Sequence, residues 1–338
     1  MTDVPTGLAP GGPDPVATEP ARMSPLSRYL NVFFSPGPVF EDIRRDPRGW
    51  WVPILISVVL WSLMASLYVT RFSEFQGEIA ASQLKDSTFL KLAPVETQDK
   101  IVQAARKNAE VTPTWQMIAQ QSSYIPFGTV LIVWFFAFLY SVIALAMGWL
   151  GDTRASKIFI TFGLVLGIVI VFGVCVAVIS VAGRQGTPDN PLPPAAWTVG
   201  ASAILCLGAV VALLWAIGRM AREAALGRIL GVASYAVAPG TLAALLGMII
   251  VFLKTPDATP FGELIPSNIG ALAGSKGAIG ALAGSLDIFT LWTLILASIG
   301  LAKVLKRSIG AAAAVVFTPW ILWVLCKVAF GAIGSAGS

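Results

Sequence analysis

Seven apolar stretches, near residues 50–70, 126–150, 159–183, 197–217, 230–253, 286–303 and 309–330, dominate this chain. None carries Asp, Glu, Lys or Arg in its interior; Asp287, Lys303 and Lys327 fall towards the ends of theirs, and the chain has no histidine at all. At 1.5 Å per residue, each stretch can cross a hydrocarbon core of about 30 Å as a helix. Helices also satisfy their own backbone groups in lipid, whereas open strands do not. The expected fold class is therefore all-α, a polytopic transmembrane helix bundle of about seven spans. Composition agrees: 56% of the 338 residues are hydrophobic and 12% charged, against about 25% charged in soluble domains.

Spans without charge offer no relay for protons or ions. Without histidine there is no base for a serine nucleophile and no zincin-type metal site. No phosphate-binding Gly-Lys-Ser/Thr loop occurs, and no basic stripe interleaved with aromatics suggests nucleic acid. Cys175, Cys206 and Cys326 lie inside expected spans and form no Cys-x-x-Cys pair, so they read as small packing residues. The expectation is a non-enzymatic protein with no catalytic residues, no cofactor, no metal and no nucleic-acid partner.

Basic residues are distributed unevenly. Thirteen (Arg22, Arg28, Arg44, Arg45, Arg48, Arg154, Lys157, Arg219, Arg222, Arg228, Lys303, Lys306, Arg307) lie in the N-terminal segment and the even-numbered connections. Only Arg184, Lys254, Lys276 and Lys327 lie at the opposite ends of the spans. The positive-inside rule places the N-terminus in the cytoplasm and the C-terminus outside.

Residues 1–23, rich in Pro, Gly and Ala, read as a disordered tail. Over 24–49, Leu26, Tyr29, Leu30, Phe33 and Phe34 recur at helical spacing, and Val39, Phe40 and Ile43 resume after Ser35-Pro36-Gly37-Pro38. This segment is expected at the membrane surface, with packing on the bundle ends as the alternative. Phe33, Phe34, Phe40, Arg44 and Arg45 are the expected membrane or partner contacts, Arg28 joins them at anionic headgroups, and Glu41-Asp42 reads as a solvated face. Residues 71–124 read as an extramembrane helical linker, and 125–331 as the transmembrane bundle.

Within the bundle, Gly163-x-x-x-Gly167, Gly240-x-x-x-Ala244 and Gly310-x-x-x-Ala314 predict close helix approach. Pro239 and Pro319 predict kinks, with Ser234 or Thr318 satisfying freed carbonyls. Ile269-Gly-Ala-Leu-Ala-Gly-Ser275 recurs as Ile279-Gly-Ala-Leu-Ala-Gly-Ser285 and should skim the outer interface before Asp287 opens the sixth span.

Three stretches carry a family resemblance: Phe33-Phe34-Ser-Pro-Gly-Pro-Val-Phe40 with Trp50-Trp51-Val-Pro53; Ser234-Tyr235-Ala-Val-Ala-Pro239; and Ser285-Leu-Asp-Ile-Phe-Thr-Leu-Trp292 with Ile299-Gly300-Leu301 and Phe317-Thr-Pro-Trp320. Together they resemble bacterial members of the Yip-one domain family over about 30–150 and 218–331, the C-terminal part being the more specific. The resemblance implies an integral membrane protein, of the bacterial inner or plasma membrane, that organises membrane or binds partners. It marks Tyr235 and Pro239 for a helix break, and Trp292, Pro319 and Trp320 for packing in the bundle. Eukaryotic relatives bind Ypt/Rab-type GTPases; the Asp-Leu-Tyr-Gly-Pro signature of those relatives is absent here, so GTPase binding does not carry over. Five spans are usual in the family, so 159–183 and 197–217 read as an extra hairpin on a Yip-like core at 218–331. The implied partners are the lipid bilayer and other membrane proteins or a second copy in a homo-oligomer. A small-molecule transporter or permease component, suggested by the mid-span prolines, is the alternative function.

Overall fold

The computed structural model describes residues 22–85, 94–150, 196–221, 224–268 and 277–336, together with parts of 159–192. Residues 1–21 of the tail expected over 1–23, the first copy of the glycine-rich repeat and most of the expected third span lie outside the described residues. The described chain is all-α apart from a two-residue antiparallel pairing of Gln185–Gly186 with Pro191–Leu192 and an isolated bridge between Asn268 and Asp287.

Two short helices, α1 (Pro25–Asn31) and α2 (Pro36–Arg45), precede the first long apolar helix, α3 (Trp51–Arg71). Then come α4 (Gln76–Lys85) and α5 (Val95–Val111), packed on each other, and α6 (Thr114–Ala146). Residues 165–173 form α7. The remainder is α8 (Ala196–Ala221), α9 (Ala224–Ala236), α10 (Pro239–Leu253), α11 (Gly277–Ser285), α12 (Ile288–Val304) and α13 (Ile309–Ala336). Four stretches among the described residues are long and apolar enough to cross a membrane: Trp51–Arg71, Thr114–Ala146, Ala225–Leu253 and Ile309–Ala329; Gly200–Ala216 and Ile288–Val304 are shorter apolar helices.

Some boundaries differ from the sequence reading. Helix α6 runs through Pro126 and begins at Thr114, inside the stretch assigned to the linker. A proline disturbs only the turn before it, and the long apolar run on either side keeps the helix intact. Pro319 likewise sits inside an unbroken α13. At Pro239 the chain does break, between α9 and α10, and the proline takes the first turn of the new helix, where no N–H is needed.

One large core gathers α1, α2, α6, α8, α9, α12 and α13 around residues such as Val39, Phe40, Ile43, Leu226, Ile229, Tyr235 and Leu301. A second, smaller core holds α3 and α10 together with the return loop 254–268, around Met64, Tyr68, Phe72, Ala244, Val251 and Leu264. Helices α3 and α10 run in the same direction. Gly49 meets Tyr235 at one end, and Arg71 reaches the Lys254 carbonyl while Tyr68 donates to the Thr259 carbonyl at the other.

The glycines that let helices close up are not those of the small-residue motifs. Among the described residues, a Cβ at Gly163, Gly167 or Gly310 would meet nothing within 4 Å. At Gly300 it would lie 2.6 Å from Val232 Cγ1 and 3.0 Å from the Phe40 ring, and at Gly231 2.7 Å from Ile43 Cγ2. Motif spacing marks a smooth helix face, and an unused smooth face simply meets the surroundings.

Candidate functional site

The three stretches that carry the family resemblance meet in space, and where they meet lies a polar network walled in by apolar side chains. It begins with local signals. Ser24 caps α1, accepting from Ser27 N–H, and Pro25 opens the helix. The turn 32–34 then reverses the chain into α2, which lays Val39, Phe40 and Ile43, all fully buried, onto α9 and α12.

Arg28 and Asp42, fourteen residues apart on separate helices, form an ion pair at 2.8 Å with side chains only 1% and 3% exposed. Asp42 also accepts from the backbone N–H groups of Arg22 (2.8 Å) and Met23 (3.2 Å). The second arm of Arg28 donates to the Arg48 carbonyl at 2.7 Å. Burial by itself would push the Asp42 carboxyl up; the donors from Arg22, Arg28 and Met23 outweigh it and hold the group below its ordinary value. Tyr235, at the end of α9, shares its one hydroxyl proton between the Pro25 and Gly49 carbonyls (3.1 and 3.3 Å). Gly49 has φ +85°, and a Cβ there would lie 2.6 Å from the Pro25 ring, so this corner needs glycine twice over.

The helix break is closed by neighbouring side chains. Thr241 donates to the Ala238 carbonyl, which uses its one proton, so Tyr29 donates to Thr241 Oγ1. Burial raises the Tyr29 phenol above its usual value, although the bond to Thr241 opposes the rise. Ser234, expected to help at the break, is buried with its hydroxyl lacking a hydrogen-bond partner among the described residues.

The residues singled out from sequence divide sharply. Phe33 sits edge-to-face between Tyr29 (5.7 Å) and Trp292 (5.9 Å), and Trp292 packs against the main core. Phe40 is 0% exposed, filling the notch at Gly300, so it cannot be a lipid or partner contact. Arg28 and Asp42, expected at headgroups and on a solvated face, are buried instead, and each serves as the other's counter-ion. Phe34 points outward at 86% exposure, in line with Leu26 and Leu30 at 57% each. Leu26 and Leu30, at i and i+4, share one face of α1, and Phe34 stands exposed in the turn that follows. Arg44 and Arg45 are half-exposed, and Arg44 pairs with Glu41. Trp320 packs edge-to-face on Phe317 at 6.1 Å. Asp287 caps α12, accepting from Thr290 N–H at 2.7 Å. Among the described residues no group of His, Cys, Asp or Glu could hold a metal ion.

The Yip1 domain matches residues 30–217. The match takes in α2 and the expected extra hairpin, and stops short of the two C-terminal stretches, which pack directly onto its first residues. No characterised protein and no solved structure matches the chain. With its apolar helices and more than half its length matched, the chain is a multi-pass integral membrane protein that belongs to the Yip1 domain family.

Proposed function

We propose that this protein is a non-enzymatic scaffold of the Yip type, which organises membrane or holds a membrane partner through the outward face of its N-terminal clasp, residues 22–49. The observation that carries this reading is the pairing of a rigid inner face with an apolar outer one. The buried Arg28–Asp42 pair fixes the segment, and Leu26, Leu30 and Phe34 stand exposed upon it. A floppy segment would lose ordering entropy on every encounter, and a locked one has already lost it. The basic bias of the connections favours a cytoplasmic position for the clasp, with the C-terminus on the far side.

The permease reading draws on the broken helix at Val237-Ala238. There the Ala238 carbonyl accepts from Thr241, whose oxygen also meets Tyr29, and Tyr235 reaches the clasp, which favours a structural joint over a substrate site. A photo-crosslinking residue at Phe34, irradiated in native membranes, tests the scaffold reading, with Val32 (0% exposed) as the internal control. Adducts to a membrane protein, a second copy or lipid from position 34 but not from 32 are expected. Quenching by water alone at position 34 would overturn it. Specific solute flux in proteoliposomes, lost on Pro239→Ala, would favour the permease.

A further inference from the structure

We infer that α1 is a splint across the α9–α10 break. Its inner face ties one side of the joint through Tyr235 and the other through Thr241, so that the seating of the clasp sets the angle between the two helices. This conformational device lies inside the bundle, goes beyond the scaffold reading and stands on different contacts.

The joint satisfies its own backbone. Pro239 brings no N–H, and the turn closes with bonds that reach back three residues instead of four. Ala238 N–H donates to the Tyr235 carbonyl (3.2 Å), Gly240 N–H to Val237 (3.0 Å) and Thr241 N–H to Ala238 (2.9 Å). A break closed in this way survives without the clasp, but it lacks the four-residue ladder that keeps a helix straight.

Two groups of α1 reach the joint from outside, one turn apart at Pro25 and Tyr29. On the α9 side, the Pro25 carbonyl shares the Tyr235 proton with Gly49. On the α10 side, the Tyr29 hydroxyl donates to Thr241 Oγ1. Tyr235 and Thr241 are both buried, so water competes with neither tie. Phe33 backs the Tyr29 ring and rests in turn on Trp292 of α12. Helix α9 belongs to the main core through Leu226, Ile229 and Tyr235, and α10 to the second core through Ala244 and Val251. The splinted joint therefore stands between the two cores. On its other face α1 exposes Leu26 and Leu30, and a pull on this seven-residue helix loads both ties at once. What keeps α1 seated is Asp42, which hydrogen-bonds within the clasp to Arg22, Met23 and Arg28.

Double electron–electron resonance on the full chain in nanodiscs tests the splint, with spin labels at the exposed Leu253 on α10 and Ile309 at the start of α13. Tyr29→Phe, which keeps the ring and removes one tie, should broaden the distance distribution. Exchange of the joint amides at Ala238, Gly240 and Thr241 should quicken about two- to tenfold, the range for one net hydrogen bond. Asp42→Asn should loosen the joint as well, although its bonds lie in the clasp. Ser234→Ala is the control and should change neither readout, since the native hydroxyl is buried with no partner among the described residues. Tyr29→Phe carries the test if Asp42→Asn does not fold. A native distribution and native exchange in Tyr29→Phe would overturn the splint, as would equal loosening by Ser234→Ala. Faster exchange over 22–49 in Asp42→Asn beside an unchanged joint would also overturn it. Crosslinks from Phe34 are read separately, and their persistence when the splint fails would leave the scaffold reading intact.

Discussion

Asp42 shows how much one carboxylate can organise in an apolar setting. Its two backbone donors and the Arg28 guanidinium join the chain entering α1 to the middle of α2. Removing one partner of a buried pair strands the other, at a cost of about 3–5 kcal/mol. Asp42→Asn should therefore lower the melting temperature in detergent and raise hydrogen exchange over 22–49, with the distant α4–α5 hairpin unaffected. Because the folded carboxyl is depressed, its contribution is complete at neutral pH. It fades as the carboxylate is protonated, below about pH 4. Acidification through that range should loosen the native clasp and have little further effect on Asp42→Asn. Sequence alone hid this pair. Arg28 and Asp42 belong to separate helices, and a charge on an apolar face reads equally as a headgroup contact until the turn at 32–34 folds one helix over the other. The aromatic periodicity was legible, but its direction was not, because both faces of 25–34 are apolar and only packing decides that Tyr29 and Phe33 turn inward.

Among the elements, the long apolar helices were plain from hydropathy, and their close contacts were not. A glycine matters where a neighbouring side chain needs its space, and that depends on which faces meet. Gly300→Ala should destabilise the bundle by about 1–3 kcal/mol, as overpacking does, since both Val232 and the Phe40 ring must yield. Gly247→Ala should cost less, because the obstructing atoms are the flexible end of Met64. Thermal unfolding in one detergent compares the two, and equal losses would contradict the packing described. The α9–α10 joint offers a second comparison. Tyr235→Phe removes the one proton shared between two clasp carbonyls and should cost about 0.5–1.5 kcal/mol. Pro239→Ala only removes a favourable first-turn residue and should cost less than Tyr235→Phe in the same assay.

Across the whole molecule, structure and charge bias divide the chain ends into two sets. The α4–α5 hairpin packs on the strand Pro191–Leu192, and the loop 254–268 closes on α3 at the same end. At the other end, Arg307 stacks over Trp149 and the clasp meets α9 and α12. Single cysteines at Arg48 and Arg307 should react with an impermeant thiol reagent from one face of sealed vesicles, and one at Asp257 from the opposite face. Labelling of all three from a single face would contradict the bundle's alternation. The family assignment was legible from the residues, but its spread was uneven. The matched stretch ends at residue 217, while the stretches read as most specific lie after it and complete the same site.

That convergence bears on how the protein is made. Phe33 and Phe40 are synthesised early, yet they rest on Trp292 and Gly300, nearly at the other end of the chain. Until translation has delivered α12, the first helices have no seat, and their greasy sides must be shielded by bilayer or chaperone. A nascent chain halted before residue 288 would leave that opening segment digestible by added protease, and release of the finished chain would abruptly protect it.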